Sequence, residues 1–178
     1  MSKKYKYIVP EGIAQSFWVG AEKIALGPGE YEFDDYRYCS GVILTRPHWE
    51  FNTIRLRKVQ NINKTTPACV NCLFTYRQEI ANPTKYINCH TPIFQVYNGT
   101  TEAALDGEEY IYDTCVNIIS AKLCSLTFEE MCTLKDTEVD LSRETCFPEY
   151  QKKVFDEAGV KITQIKLIIT GIHTKEEL

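Results

Sequence analysis

The feature of this chain that most constrains its fold is an alternation of apolar and polar residues with a period of two. The alternation is clearest in Lys3–Val9, Val70–Tyr76 and Tyr110–Ile119. Successive side chains of a strand point to opposite faces of a sheet, so this pattern predicts strands with one buried face. Because it recurs along most of the chain, we expect a mainly β protein, built as a two-sheet β-sandwich with two short helices.

Further strands are predicted where short apolar runs are bounded by turn residues. These runs are Phe17–Leu26 (a pair of strands), Glu30–Phe33, Tyr36–Leu44, Trp49–Val59, Ile93–Tyr97 and Val160–Ile172. Gly27-Pro28-Gly29 and Asn98-Gly99 are turn signals between them. The apolar parity changes near Thr53, which predicts a bulge or a change of face. Ile165–Ile169 is almost wholly apolar, so we expect it in the interior of a sheet.

Two helices interrupt the strands. Thr127-Phe-Glu-Glu130 has the capping-box pattern and predicts a short helix to about Leu134. A longer helix is predicted from near Pro148 to Gly159, because Pro is favoured in the first turn and Gly just after the last. Its apolar positions are Tyr150, Val154, Phe155 and Ala158. With no linker or repeat visible, we expect a single domain at residues 1–172, followed by a tail at residues 173–178.

The cysteine content suggests an oxidising compartment. The eight cysteines are Cys39, Cys69, Cys72, Cys89, Cys115, Cys124, Cys132 and Cys146. An even number in a small chain predicts up to about four disulfides, whose connectivity the sequence leaves open. Zinc is the alternative, through Cys69, Cys72 and Cys89 with His90, but no second CxxC or HxxxH is present, so we predict no metal site. A redox role for Cys69-Val-Asn-Cys72 is disfavoured, because this segment is predicted to be strand throughout.

Two N-glycosylation sequons agree with that compartment. They are Asn63-Lys64-Thr65 and Asn98-Gly99-Thr100, each between apolar runs. Asn63 and Asn98 are therefore the predicted glycosylation sites.

The last four residues, Lys175, Glu176, Glu177 and Leu178, resemble a KDEL-type retrieval signal. Glu176 departs from the usual Asp, which would lower affinity for the KDEL receptor. We therefore expect a protein of the endoplasmic reticulum lumen that cycles through the Golgi. Met1–Val9 lacks an apolar core, so we infer that a signal peptide has been removed. No segment approaches the roughly 18 apolar residues of a membrane span, and none is predicted.

Searches for catalytic motifs in the sequence predict no enzyme. None of the three histidines, His48, His90 and His173, lies in a metal or triad motif. Cys89 and His90 are neighbours on a predicted strand and would point to opposite faces. We therefore expect no catalytic residues and no cofactor. A net charge of −4 argues against a nucleic-acid partner.

Tyrosines are numerous, with eleven in the chain. The candidates for a binding face are Tyr5, Tyr7, Tyr36, Tyr38, Tyr110 and Tyr112. The alternative interpretation of each is ordinary packing within a sheet.

Three features carry a family resemblance: the tail, the Tyr110–Cys132 segment with its cysteines, and the late order of helix then strand. Together they resemble the poxvirus immune evasion (PIE) domain family, and in particular its ER-retained members. The strict motif is the tail alone. The resemblance implies a β-sandwich that binds host proteins and carries no catalytic residues. It also implies a function: to bind MHC class I (heavy chain with β2-microglobulin) and retain it in the ER, which blocks antigen presentation.

Other functions stay open. One is a viral binder of another host immune protein, such as a costimulatory ligand, chemokine or cytokine. A second is a cellular ER-resident folding factor, which would need a reactive Cys69. A third is a small-ligand carrier with a large apolar cavity. A separate hypothesis makes His48 or His90 a pH switch that tightens binding in the Golgi, with a turn histidine as the alternative.

Overall fold

A computed structural model describes residues 4–19, 22–37, 39–59, 68–89, 95–97, 100–102 and 107–174. Half of the chain is strand, so the mainly β prediction is confirmed. The strands are β1 (Tyr5–Val9), β2 (Ile13–Val19), β3 (Glu22–Leu26), β4 (Gly29–Phe33), β5 (Cys39–Leu44), β6 (His48–Val59), β7 (Ala68–Ile80), β8 (Gln95–Tyr97), β9 (Thr100–Glu102), β10 (Glu138–Asp140) and β11 (Val160–Thr174). The helices are α1 (Pro83–Ile87), α2 (Gly107–Cys124), α3 (Phe128–Leu134) and α4 (Phe147–Ala158), with a 3-10 turn at Leu141–Arg143.

The backbone divides into two compact units. Unit 1 comprises Met1–Pro47, Glu79–Ile111 and Lys153–Lys161, and unit 2 comprises His48–Gln78, Tyr112–Lys152 and Ile162–Leu178. The predicted single domain at residues 1–172 stays a prediction. β11 continues to Thr174, two residues into the segment predicted as tail.

Unit 1 contains small antiparallel sheets. β1 pairs with β4, β8 pairs with β9, and β2 lies between β3 and β5. Phe17 of β2 is completely buried and packs edge-on against Tyr7, with ring centroids 5.0 Å apart. Two hydrogen bonds join helix α1 to β3. The hydroxyl of Thr84 donates to Ala25 O and accepts from Ala25 N, both at 3.1 Å.

Unit 2 is built on a four-stranded sheet with the order β10-β11-β7-β6. One face of this sheet, here called the inner face, carries buried side chains: Val70, Cys72, Phe74 and Tyr76 of β7, and Ile165, Leu167 and Ile169 of β11. Helix α2 covers it, since the rings of Tyr112 and Phe74 lie 5.6 Å apart. β11 occupies an interior position, as predicted from its apolar centre.

The strand predicted at Tyr110–Ile119 is wrong, because this segment lies in the 18-residue helix α2. The buried side chains recur at spacings of four: Tyr110, Thr114 and Ile118 form one row, and Ile111, Cys115 and Ile119 the next. This is helical periodicity. β-Branched and aromatic residues, which favour strands, mask it over a short window.

The expectation of two short helices is also too low, since the described part has four α-helices. Of the two that were predicted, α3 has the capping box at Thr127 and Glu130, and α4 ends before Gly159. Val154 and Ala158 of α4 are completely buried, whereas Phe155 is exposed. Helix α1 was missed, although Asn82 as N-cap and Pro83 in the first turn are a start signal.

The predicted disulfides are wrong for this structure. All eight cysteines lie in its described part, and no disulfide joins any two of them. Cys69, Cys72 and Cys115 are buried and serve as small apolar core residues, while Cys124 and Cys132 are exposed.

Candidate functional site

Strand β6 exposes a line of five side chains on the outer face of the unit 2 sheet. We call these residues the β6 row; they are Trp49, Phe51, Thr53, Arg55 and Arg57. Trp49 is 38% exposed and Phe51 is 69% exposed. Large aromatic side chains with this exposure are typical of contact surfaces when they lie together.

The β6 row arises because the side chains of β6 alternate between the two faces over a longer stretch than the sequence pattern predicts. Trp49 and Phe51 have odd numbers, while the apolar Ile54 and Leu56 have even numbers, so a regular strand cannot bury all four. The parity change predicted near Thr53 would bury both sets. The irregularity lies instead between Leu56 and Val59, so Trp49 and Phe51 stay outside.

Three arginines lie on the same face of the sheet as the two aromatic rings. Arg55 and Arg57 belong to the β6 row, and Arg77 of β7 lies directly opposite Trp49. Among the described residues, no carboxylate forms an ion pair with any of them. Arg55 Nε donates to Cys69 Sγ at 3.1 Å. The β6 side of the outer face is therefore cationic.

The opposite side of the outer face carries acidic groups that are already paired. Lys166 Nζ lies 2.8 Å from Glu138 Oε1 and 5.6 Å from the Trp49 ring centroid. Asp140, opposite Lys166, accepts from Ser142 O–H and N–H, and these bonds hold its pKa below the ordinary value. In the described part of the sheet, Arg55 and Arg57 of β6 and Arg77 of β7 thus have no such local neutralisation.

His48, one of the two candidate pH switches, lies on the inner face rather than in the β6 row. Its Nε2 atom is 3.0 Å from Glu50 Oε1 and 3.2 Å from Gln78 Nε2. The Oε1 atom of Gln78 is buried and has no partner in the described structure. His48 therefore does not share a face with Trp49 and Phe51. Its role as a switch stays a prediction.

The CxxC motif is divided between the two faces of β7. Cys72 is one of the buried residues of the inner face. Cys69 lies three positions earlier, on the outer face. Burial raises the pKa of the Cys72 thiol to about 12. The two sulfurs therefore cannot act as a vicinal redox pair or bind one ion in this conformation. This placement argues against the folding-factor alternative.

The tyrosines mostly pack rather than form a surface. Tyr7 contacts Phe17 and Phe33, and its hydroxyl donates to Arg37 O at 2.9 Å. Tyr110 is buried. Burial and the neighbouring Asp113 raise the pKa of Tyr112. Tyr5 packs edge-on against Tyr36, which is exposed. Tyr38 lies outside the described residues.

Several predicted site residues lie outside the described residues. These are the retrieval tail Lys175, Glu176, Glu177 and Leu178, the sequon residues Asn63 and Asn98, and His90. Their predicted roles remain predictions.

The described part of the chain contains no cluster of three or more potential metal ligands. None of its helices has the length and apolar character needed to span a bilayer.

Trp49, Phe51 and the arginines are not among the site residues predicted from the sequence. The sequence does contain a signal for this surface. Within one predicted strand, apolar residues occur first at odd and then at even positions, and three basic residues follow at Arg55, Arg57 and Lys58. It was interpreted as a change of face because burial of aromatic residues is the usual expectation.

No protein-family model and no curated protein matches this chain.

Proposed function

We propose that this chain is a non-catalytic binding protein of the secretory pathway, with the β6 row as its contact surface. The observation that supports this is the exposure of Trp49 and Phe51 side by side, on a sheet face whose arginines have no carboxylate partners in the described structure. Trp and Arg are the residues most enriched at the energetic centres of protein interfaces. Burying two such rings against a partner removes apolar surface from water.

The client that we propose is MHC class I, as heavy chain with β2-microglobulin. This choice comes from the resemblance to the poxvirus immune evasion family. The tail Lys175–Leu178 would bind the KDEL receptor in the Golgi and return the complex to the ER lumen. Antigen presentation would fall without any chemical step, as in viral immune evasion by a retained glycoprotein. The two-sheet β-sandwich spanning residues 1–172 is part of the same proposal.

The test is a pull-down from human cell lysate with the recombinant protein, read by mass spectrometry. We expect MHC class I heavy chain with β2-microglobulin, and loss of both in a Trp49→Ala/Phe51→Ala variant. Trp18→Ala is the matched control, because Trp18 is 41% exposed but lies in unit 1.

Each other outcome has a defined meaning. Recovery of a costimulatory ligand, chemokine or cytokine through Trp49 would replace the client and keep the contact surface. Recovery of MHC class I that is indifferent to Trp49→Ala/Phe51→Ala would show that the surface is elsewhere. Unfolded chains held in mixed disulfides would favour the folding factor and overturn the proposal.

A further inference from the structure

The partner chemistry of the β6 row can be derived from the position of β6 in its sheet. β6 is the terminal strand of the order β10-β11-β7-β6 and is 12 residues long. Within the described residues, β7 is its only neighbour. The far edge of such a strand offers backbone N–H and C=O groups to an extended peptide, which can be added as a further strand.

The side chains of the β6 row indicate what such a peptide would carry. In an added strand, alternate side chains would lie on the outer face beside Trp49, Phe51, Thr53, Arg55 and Arg57, spaced by about 6.8 Å. The end near Trp49 and Phe51 would contact apolar groups. The end near Arg55 and Arg57 would contact groups that neutralise two guanidinium ions.

Charge complementarity selects an acidic peptide. In the described structure Lys166, Lys122 and Lys161 each lie within ion-pair distance of a glutamate. Arg57 and Arg77 have no such partner there, although both are exposed. A carboxylate opposite Arg57 could accept two parallel N–H bonds from the guanidinium, which is the geometry that arginine favours.

We propose that the free edge of β6 binds an extended acidic peptide segment of another protein as a fifth strand of the unit 2 sheet, with its acidic side chains against Arg55 and Arg57 and its apolar side chains against Trp49 and Phe51. This rests on the proposed function, because it specifies how the β6 row holds a client.

The experiment uses the full chain and a fluorescein-labelled peptide of about nine residues, which matches the length of the β6 row at about 3.4 Å per residue. In the probe, threonines alternate with valines in one half and with glutamates in the other. We expect saturable binding by fluorescence anisotropy, weakened as salt rises from about 0.05 M to about 0.5 M.

Altered probes separate the two parts of the proposal. A peptide with lysine in place of each glutamate should not bind. A peptide methylated on the backbone nitrogen of alternate residues keeps its charge but loses one edge of hydrogen-bond donors, and it should bind at least about tenfold more weakly. Equal binding of the lysine peptide would overturn the acidic preference. A second peptide is methylated on the other set of alternate residues. Binding of both methylated peptides as tight as that of the unmethylated probe would overturn strand addition.

Variants of the protein locate the site. We expect Arg57→Glu and Trp49→Ala each to weaken binding of the acidic probe by about tenfold or more. The matched controls are Lys153→Glu, an exposed cation of unit 1, and Trp18→Ala, and both should leave affinity unchanged. Equal effects of Arg57→Glu and Lys153→Glu would show that binding depends only on the net charge of the protein, and would overturn the proposal.

Two further outcomes would also overturn it. One is the absence of measurable peptide binding. The other is tighter binding of a single-stranded oligonucleotide that displaces the probe, which would identify a nucleic acid as the occupant. The peptide assay contains no MHC class I. A negative result in it would therefore not affect the result of the client pull-down, which tests the proposed function separately. Loss of the client in the pull-down, with the peptide still bound, would overturn the proposed function alone.

Discussion

At the scale of single residues, Gly159 occupies a position where a positive φ and a close neighbour together favour glycine. Its φ is +67°, and a Cβ atom there would lie 2.7 Å from Asn82 Cβ. Its carbonyl accepts from Ala81 N and Asn82 N at 3.0 and 2.9 Å. Gly159 therefore ends α4, and its carbonyl also holds the turn after β7 by hydrogen bonds.

We therefore expect Gly159→Ala to destabilise the protein by about 1–3 kcal/mol, because alanine is strained at positive φ and would also clash with Asn82. Urea unfolding measures this. Gly27→Ala is the control, since no atom lies within 4 Å of a Cβ at Gly27, and it should change stability by less than about 0.5 kcal/mol. Equal effects of the two substitutions would contradict the close approach at Gly159.

The cysteines give a second prediction at this scale. Burial raises the pKa of both Cys72 and Cys115 to about 12, while Cys124 and Cys132 are exposed. In the folded protein, iodoacetamide should modify Cys124 and Cys132, and should modify Cys72 and Cys115 more than about a hundredfold more slowly. Peptide mapping by mass spectrometry measures each site. Resistance of Cys124 and Cys132 that disappears only after reduction would instead indicate disulfides.

At the scale of the element, α3 shows how a local motif fixes a helix start. Thr127 Oγ1 accepts from Glu130 N at 3.1 Å, and Glu130 Oε2 accepts from Thr127 N at 2.7 Å. Both bonds join residues three apart, so the motif needed no tertiary information to be predicted. Met131, one position after the box, is completely buried.

Removing the cap hydroxyl should cost stability. We expect Thr127→Ala to lower the free energy of unfolding by about 1 kcal/mol, because Glu130 N–H loses its acceptor. Thr133→Ala is the control within α3; its hydroxyl donates to Glu129 O, a carbonyl of the helix interior. A larger loss for Thr133→Ala than for Thr127→Ala in urea unfolding would contradict the capping box.

The same box should make stability depend on pH. The backbone N–H of Thr127, followed by its side chain, lowers the pKa of Glu130 below its ordinary value of 4.5. A carboxyl with a lowered folded pKa stabilises the protein above its unfolded pKa and loses that contribution as pH falls through its folded pKa. Glu130→Gln should therefore flatten the stability profile below about pH 4.5, measured by thermal unfolding at several pH values. Glu129→Gln, the adjacent residue, should leave the profile unchanged; equal flattening by both would refute the assignment.

Helix α2 shows where local interpretation fails. Tyr110, Tyr112, Thr114 and Val116 alternate as strand residues would, and only the continuation through Ile118, Ile119 and Leu123 reveals the helical rows. Glu108 and Glu109 in the first turn and Lys122 in the last favour a helix through its dipole. The helical spacing of the whole segment to Leu123 is therefore sufficient to predict the helix from the sequence.

At the scale of the whole molecule, the proposed retention needs both a contact surface and a tail. Deleting Lys175–Leu178 should move the protein, expressed with a signal peptide, from the ER into the culture medium, because the KDEL receptor requires the terminal carboxylate. Secretion measured by immunoblot of cells and medium tests this. A variant with two glycines added after Leu178 keeps all four side chains and should also be secreted. Intracellular retention of both variants would show that the tail is not a retrieval signal.

Much of the architecture follows from the sequence alone. The capping box at Thr127, the stop at Gly159 and the apolar interior strand around Ile165–Ile169 each depend on chemistry within a few residues, so they could be predicted. The retrieval signal proposed at Lys175–Leu178 would be a linear motif, so the sequence is sufficient to propose it. What these features share is that a short segment contains all of the interacting groups.

Tertiary structure alone decided which face of β6 is buried. Trp49 and Phe51 compete with Ile54 and Leu56 for the inner face, and β7 settles that competition by pairing without interruption from His48 to Leu56. It also decided that no cysteine pairs with another in the described structure. The physical reason is that a strand has no preferred face of its own, so burial is assigned only by the partners that pack against it.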